Sequence, residues 1–191
     1  MAVGEKANQK KVQAVMEDLR SGNEQKFSAA IKTLHSIGNV SVLTELLDLL
    51  RTDLSEKNRQ ELLDTLNDLN DSDAIPVIME ALRDEVNHDI RRDVLTTIWN
   101  SKLDYSAYLP DSVAMALDGD FMDALECLTV IENMEGPFGE HLILESQLHL
   151  KEYLEDTAPK DPQKAKIISE IAIFIKDLND ADDDGIEEFN V

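Results

Sequence analysis

Three positions along one predicted helix, His141, Glu145 and His149, carry residue types that hold a transition metal. Neighbouring pairs at i, i+4 and i+8 could share an ion, but the outer two stand about 12 Å apart at 1.5 Å per residue, so the three cannot converge. With no cysteine partner and no second histidine pair, they read by default as surface residues. A second pattern lies further on. Asp180, Asp182, Asp184 and Gly185 match the D-x-D-x-D-G opening of a calcium loop, in which oxygens at alternate positions wrap a hard cation. Position twelve of that loop needs a bidentate glutamate and is Val191. Residues 180–191 are therefore expected to form an acidic, disordered tail; weak calcium binding at Asp180, Asp182 and Asp184, or service as a peptide ligand, are the alternatives. Cys127, the single cysteine, lies among Ala124, Leu125 and Leu128 and reads as a small core residue rather than a nucleophile. No catalytic residue and no cofactor is expected, and the chain reads as a non-enzyme.

The elements that carry these residues follow from a repeat. Ile31, Leu34 and Ile37 recur 32 residues later as Leu63, Leu66 and Leu69 and begin again at Leu95 and Ile98; Leu43, Leu46 and Leu50 recur as Ile75, Ile78 and Leu82. A fixed period in this range marks stacked supersecondary units, each too small to bury its apolar face alone. Low aromatic content (5%) and seven glycines disfavour a turn-rich β fold and favour helices.

Start and stop signals divide each unit into two short helices. Residues 8–20 form the first, ended at Ser21 and Gly22. Asn23 caps a second that reaches Gly38, and Ser41 to Arg51 make a third. Ser55 caps a helix to Leu69, Asp73 caps another with Pro76 in its first turn, and its partner runs from Asp89 to about Ser101. Ser106 and Pro110 open the next. Gly119 and Asp120 separate it from Phe121 to Met134, and Gly136 and Pro137 break the chain before Phe138 to Glu155. Asp161 and Pro162 open the last, ending near Asn179. The expectation is ten helices in five antiparallel pairs: residues 1–22 as a first helix or cap, 23–179 as the array, 180–191 as the tail.

The segments AIPVIMEALRDE (Ala74 to Glu85) and DIRRDVLTTIW (Asp89 to Trp99) resemble the two halves of a HEAT repeat, with Arg91 on the arginine of that pattern and Arg59 one period earlier. AAIKTLHSIGN (Ala29 to Asn39) is similar to the end of a second helix of that family. The resemblance covers residues 24 to 135. It implies an all-α, right-handed α-solenoid of the HEAT or armadillo type, with second helices lining a concave face that takes a protein partner. Off the apolar stripe of those helices lie Glu61, Asp64, Asp68, Asp93, Asn100, Asp123, Glu126 and Glu132, which together would make an acidic groove. Trp99 falls about 40° beyond the apolar arc of its helix, at the rim of the core, where it is either an interface anchor or a layer-filling residue.

Charge narrows the partner. The chain carries a formal charge of −22, and no Lys or Arg occurs from Leu103 to Leu150 while ten Asp and Glu do. Such a field repels phosphate backbones and anionic headgroups and attracts basic proteins, so neither nucleic acid nor membrane is expected as a partner. The same acidity also serves solubility. No apolar run is long enough to span a bilayer and no secretory signal is visible, so a soluble, cytoplasmic protein is expected. The functional expectation is a protein-binding scaffold or adaptor for a basic or mixed-charge segment; the alternative is a calcium-responsive protein acting through the tail. A terminal layer with exposed apolar surface would offer a route to dimers.

Overall fold

The computed structural model describes the backbone of residues 2–37 and 40–187 and the side chains of 10–34, 40 and 42–179. The described residues are mostly helical, with no strand among them: α1 (Ala2–Leu19), α2 (Glu24–Ile37), α3 (Leu43–Leu50), α4 (Glu56–Asn67), α5 (Ala74–Arg83), α6 (Arg91–Asn100), α7 (Leu109–Asp118), α8 (Phe121–Glu132), α9 (Glu140–Glu155) and α10 (Pro162–Glu187). Short 3-10 helices precede α3, α6 and α7. The chain divides into two compact units, Met1–Leu103 and Asp104–Val191, where the sequence suggests one continuous array.

Local chemistry explains the boundaries. Gly22, with φ of +70°, turns the chain after α1 in a conformation that L side chains rarely adopt. The Asn23 side chain accepts from the Lys26 amide at 3.0 Å and opens α2, and Ser55 accepts from the Asn58 amide at 3.3 Å and opens α4. Asp73 does not cap α5: it is itself helical in backbone and makes no cap bond, and its own amide donates to the Asp71 side chain at 3.1 Å. Asp89 does not start α6 either. Asp84 accepts from the Val86 amide and Asn87 donates to the Ala81 carbonyl at 2.9 Å, which holds Glu85–Ile90 as a 3-10 turn and delays the α-helix to Arg91.

In the first unit α1 packs on α2, α3 on α4 and α5 on α6; α2, α4 and α6 touch in succession and α3 touches α5. The apolar spacing builds these contacts. Ala30, Leu62 and Val94 recur every 32 residues on α2, α4 and α6 and are all buried, as are Leu34, Leu66 and Ile98. On α3 and α5, Leu46 and Ile78, Leu47 and Met79, and Leu50 and Leu82 are buried at the same spacing. Each such leucine or isoleucine contributes about 1.5–3 kcal/mol by leaving water.

In the second unit α7 packs on α8 and α9, and α10 packs on α8 and α9. Leu109, Val113 and Ala116 of α7 meet the core with Ala124, Cys127 and Ile131 of α8, Ile143 and Leu150 of α9, and Ile168, Ile171 and Ile175 of α10. The Lys164 ammonium donates to the carbonyls of Leu117 and Gly119 at 2.5 and 2.6 Å, which ties the start of α10 to the end of α7. A cation at a helix C-terminus meets the negative end of its dipole. No described helix is long and apolar enough to cross a membrane.

Candidate functional site

The row α2, α4 and α6 presents the side chains that the resemblance places on a partner-binding face. On α2, Gln25, Ser28, Ala29 and Lys32 fall at i, i+3, i+4 and i+7, and on α4 Lys57, Glu61 and Asp64 fall at i, i+4 and i+7, so each set shares one helix face. Between them lies a cleft of about 740 Å³ lined by these residues and Ile31. Its walls are polar and of both signs, over a strip of Ala29 and Ile31.

The carboxylates on this row are not all free to meet a ligand. Ser28 Oγ donates to both carboxylate oxygens of Glu61, at 2.8 and 2.7 Å, and Lys57 Nζ stands 4.0 Å from Glu61 and 4.0 Å from Glu24. Asp64 is exposed and, among the described residues, its carboxylate accepts one side-chain bond, from Gln60 one turn back at 2.8 Å. Asp93, expected as an open groove acid, is held by the Arg59 guanidinium, whose other nitrogen donates to the Leu50 carbonyl at 2.9 Å. Trp99 is half-buried on α6, and Asn100 is exposed with its amide donating to the Thr96 carbonyl at 2.9 Å.

No family model, curated protein or solved structure matches the chain.

The remaining predicted positions lie in the second unit. Asp123 is a correction: it is 6% exposed and completes a capping box with Asp120 at the start of α8, each side chain accepting from the other residue's amide. Its carboxylate faces the helix end rather than solvent, where it accepts from the Asp120 amide at 3.2 Å and satisfies a donor the helix leaves unpaired. Glu126 is half-buried and Glu132 exposed on α8. Cys127 is fully buried on the core side of the same helix. His141 and Glu145 are exposed on α9 and His149 half-exposed, and no group of three metal-ligating side chains occurs among the described residues. α10 continues through Asp180, Asp182 and Asp184 to Glu187, eight residues beyond the expected end, where the calcium-loop pattern requires a loop; the side chains at 180–187 and all of 188–191 lie outside the described residues.

Two features of the site escaped sequence reasoning. Lys32 and Lys57 give the cleft cations as well as acids, and the spacing of 25, 28, 29 and 32 against 57, 61 and 64 could have signalled it. The pairings of Glu61 with Ser28 and of Asp93 with Arg59, spanning 33 and 34 residues, had only the 32-residue period as a clue.

Proposed function

We propose that the chain is a HEAT-like helical-repeat scaffold of stacked helix pairs that binds a protein segment of basic or mixed charge along the row α2, α4 and α6, without catalysing a reaction. The observation that carries this reading is the α2–α4 cleft, open to solvent, floored by Ala29 and Ile31 and rimmed by Lys32, Lys57, Glu61 and Asp64. A helix or extended segment laid there gains apolar contact along the floor. It also meets charges of both signs, and such alternation sets register and orientation more than raw affinity. Asp64 is the carboxylate of the rim with the fewest internal bonds to break, so it is the natural contact for a basic side chain. The succession of contacts α2–α4–α6 and α3–α5, built on a 32-residue apolar period, supports the repeat reading. A cytoplasmic location belongs to the same proposal.

The test uses two labelled peptides, one with Lys and Leu at helical spacing and one with Glu replacing Lys, titrated with the full chain by fluorescence anisotropy. The basic peptide is expected to bind and the acidic one not to. Binding should weaken with salt, and Asp64→Lys should lower the affinity by about tenfold. Equal binding of the two peptides, or indifference to Asp64→Lys, would overturn the assignment of this cleft.

A further inference from the structure

The second unit carries an apolar face that its own core does not use. Among the described residues, six large apolar side chains are exposed, and four belong to α9 and α10: Leu144 and Leu148, both 52% exposed, Leu154 at 69% and Ile173 at 53%. They are not scattered. Between α9 and α10 runs a groove of about 390 Å³ lined by Leu150, Leu154, Ala172 and Ile175, with Lys151 on the α9 lip and Lys176 on the α10 lip. Leu144 and Leu148 sit two turns and one turn before Lys151 on the same face of α9, and Ile173 sits one turn before Lys176 on α10, so the exposed residues flank the groove on both helices. Several large apolar side chains exposed beside an apolar groove mark an interaction surface.

The rim of this groove carries two cations and one acid in a chain whose formal charge is −22. No cation occurs from Leu103 to Leu150, yet each lip carries a lysine, with Glu155 within 3.8 Å of Lys151 as the acid on the rim. Its complement is an apolar segment flanked by carboxylates, and this chain contains one. Residues 180–191 hold Asp180, Asp182, Asp183, Asp184, Glu187 and Glu188, no cation, and the apolar Ile186, Phe189 and Val191. α10 continues eleven residues beyond Lys176 to Glu187, so Ile186 starts about 15 Å along the helix axis from the lysine on its own groove lip.

We infer that the occupant is a second copy: residues 186–191 of one chain seat Ile186 and Phe189 in the α9–α10 groove of another, with Lys151 and Lys176 meeting the acidic residues beside them. Exchange in both directions gives a closed, two-fold dimer. This inference is independent of the α2–α4 cleft.

Sedimentation velocity of the full chain from about 1 to 100 µM tests it. Concentration-dependent dimerisation is expected. The full-length variants Ile186→Asp/Phe189→Asp and Leu154→Glu should each weaken it by at least about tenfold, as should an excess of a peptide of residues 180–191. Leu154 is mostly exposed, so its substitution leaves the core intact, and unchanged far-ultraviolet circular dichroism verifies that each variant is folded. A monomer at every concentration overturns the inference. So does a dimer indifferent to the tail substitutions, or one broken by them but not by Leu154→Glu.

Discussion

Arg59 on α4 donates to the Leu50 carbonyl with one guanidinium nitrogen and to the Asp93 carboxylate on α6 with the other. One side chain thus binds the end of α3 to two successive helices of a row, and it does so from a position that recurs as Arg91 one period later. Both partners are about one-third exposed, at 28% and 33%, so solvent screens the pair only in part.

Removing that link has a measurable cost. Arg59→Ala is expected to destabilise the chain by about 1.5–3 kcal/mol, since it deletes a charge-assisted bond and leaves a helix-end carbonyl without its donor. In a double-mutant cycle with Asp93→Ala, urea denaturation should give a coupling energy above about 0.5 kcal/mol. Additive effects of the two substitutions would mean that the pair does not join α4 to α6.

The register of α4 makes a second prediction. Leu62 is completely buried whereas Leu63, the residue matched by the 32-residue period with Ile31, is only partly so. Leu62→Ala should cost about 2–5 kcal/mol, Leu63→Ala less than half as much. The reverse order in thermal or urea unfolding would place α4 one residue out of register.

Helix number, the breaks at Gly22, Gly119 and Gly136, and the buried stripe at 34, 66 and 98 were legible in the sequence, because each depends on residues close in the chain or on a fixed period. The exact core residues of α4 were less so: Leu62 and Leu63 are adjacent and equally apolar, and only the packing of α4 between α2 and α6 decides which turns inward. The fate of the acids was the least legible. Asp93, Glu61 and Asp123 look alike as polar residues beside a stripe, yet one meets an arginine 34 residues away, one a serine 33 residues away, and one closes its own helix end. The first two pairings follow from contacts between helices, which composition does not encode, and the third from a local capping box. The 3-10 turn at Glu85–Ile90 was hidden for a related reason, since Asp84 and Asp89 are equally good cap residues by type and the bond from Asn87 to Ala81 selects the first.

The capping box at Asp120 should behave as local structure. Asp120→Ala is expected to lower stability by about 1 kcal/mol without altering peptide binding at the α2–α4 cleft. Chemical denaturation and anisotropy read the two effects separately, and a loss of peptide affinity would contradict the placement of the binding face.

Tyr153 supplies a pH dependence. Burial pushes its phenol above the ordinary value of 10.0, and the carboxylates of Asp161 and Asp156 push it further. Lys160 and Lys164 also stand over its ring, at 5.0 and 5.7 Å. The folded state therefore disfavours the phenolate more than the unfolded chain does. The stability held by the neutral phenol is present below pH 10 and declines as pH rises through the folded-state value. Tyr153→Phe should remove, from the absorbance titration near 295 nm, one phenolate transition centred above pH 10; loss of a transition at or below 10 would contradict this environment.

The most direct test of the binding face is heteronuclear NMR of the full chain titrated with the Lys and Leu peptide. Amide shifts clustered on Gln25 to Lys32 of α2 and Lys57 to Asp64 of α4, and lost in Asp64→Lys, are the predicted result. Shifts confined to α9 and α10, or spread without a focus over acidic residues of both units, would contradict it and leave the α2–α4 cleft without a role in recognition.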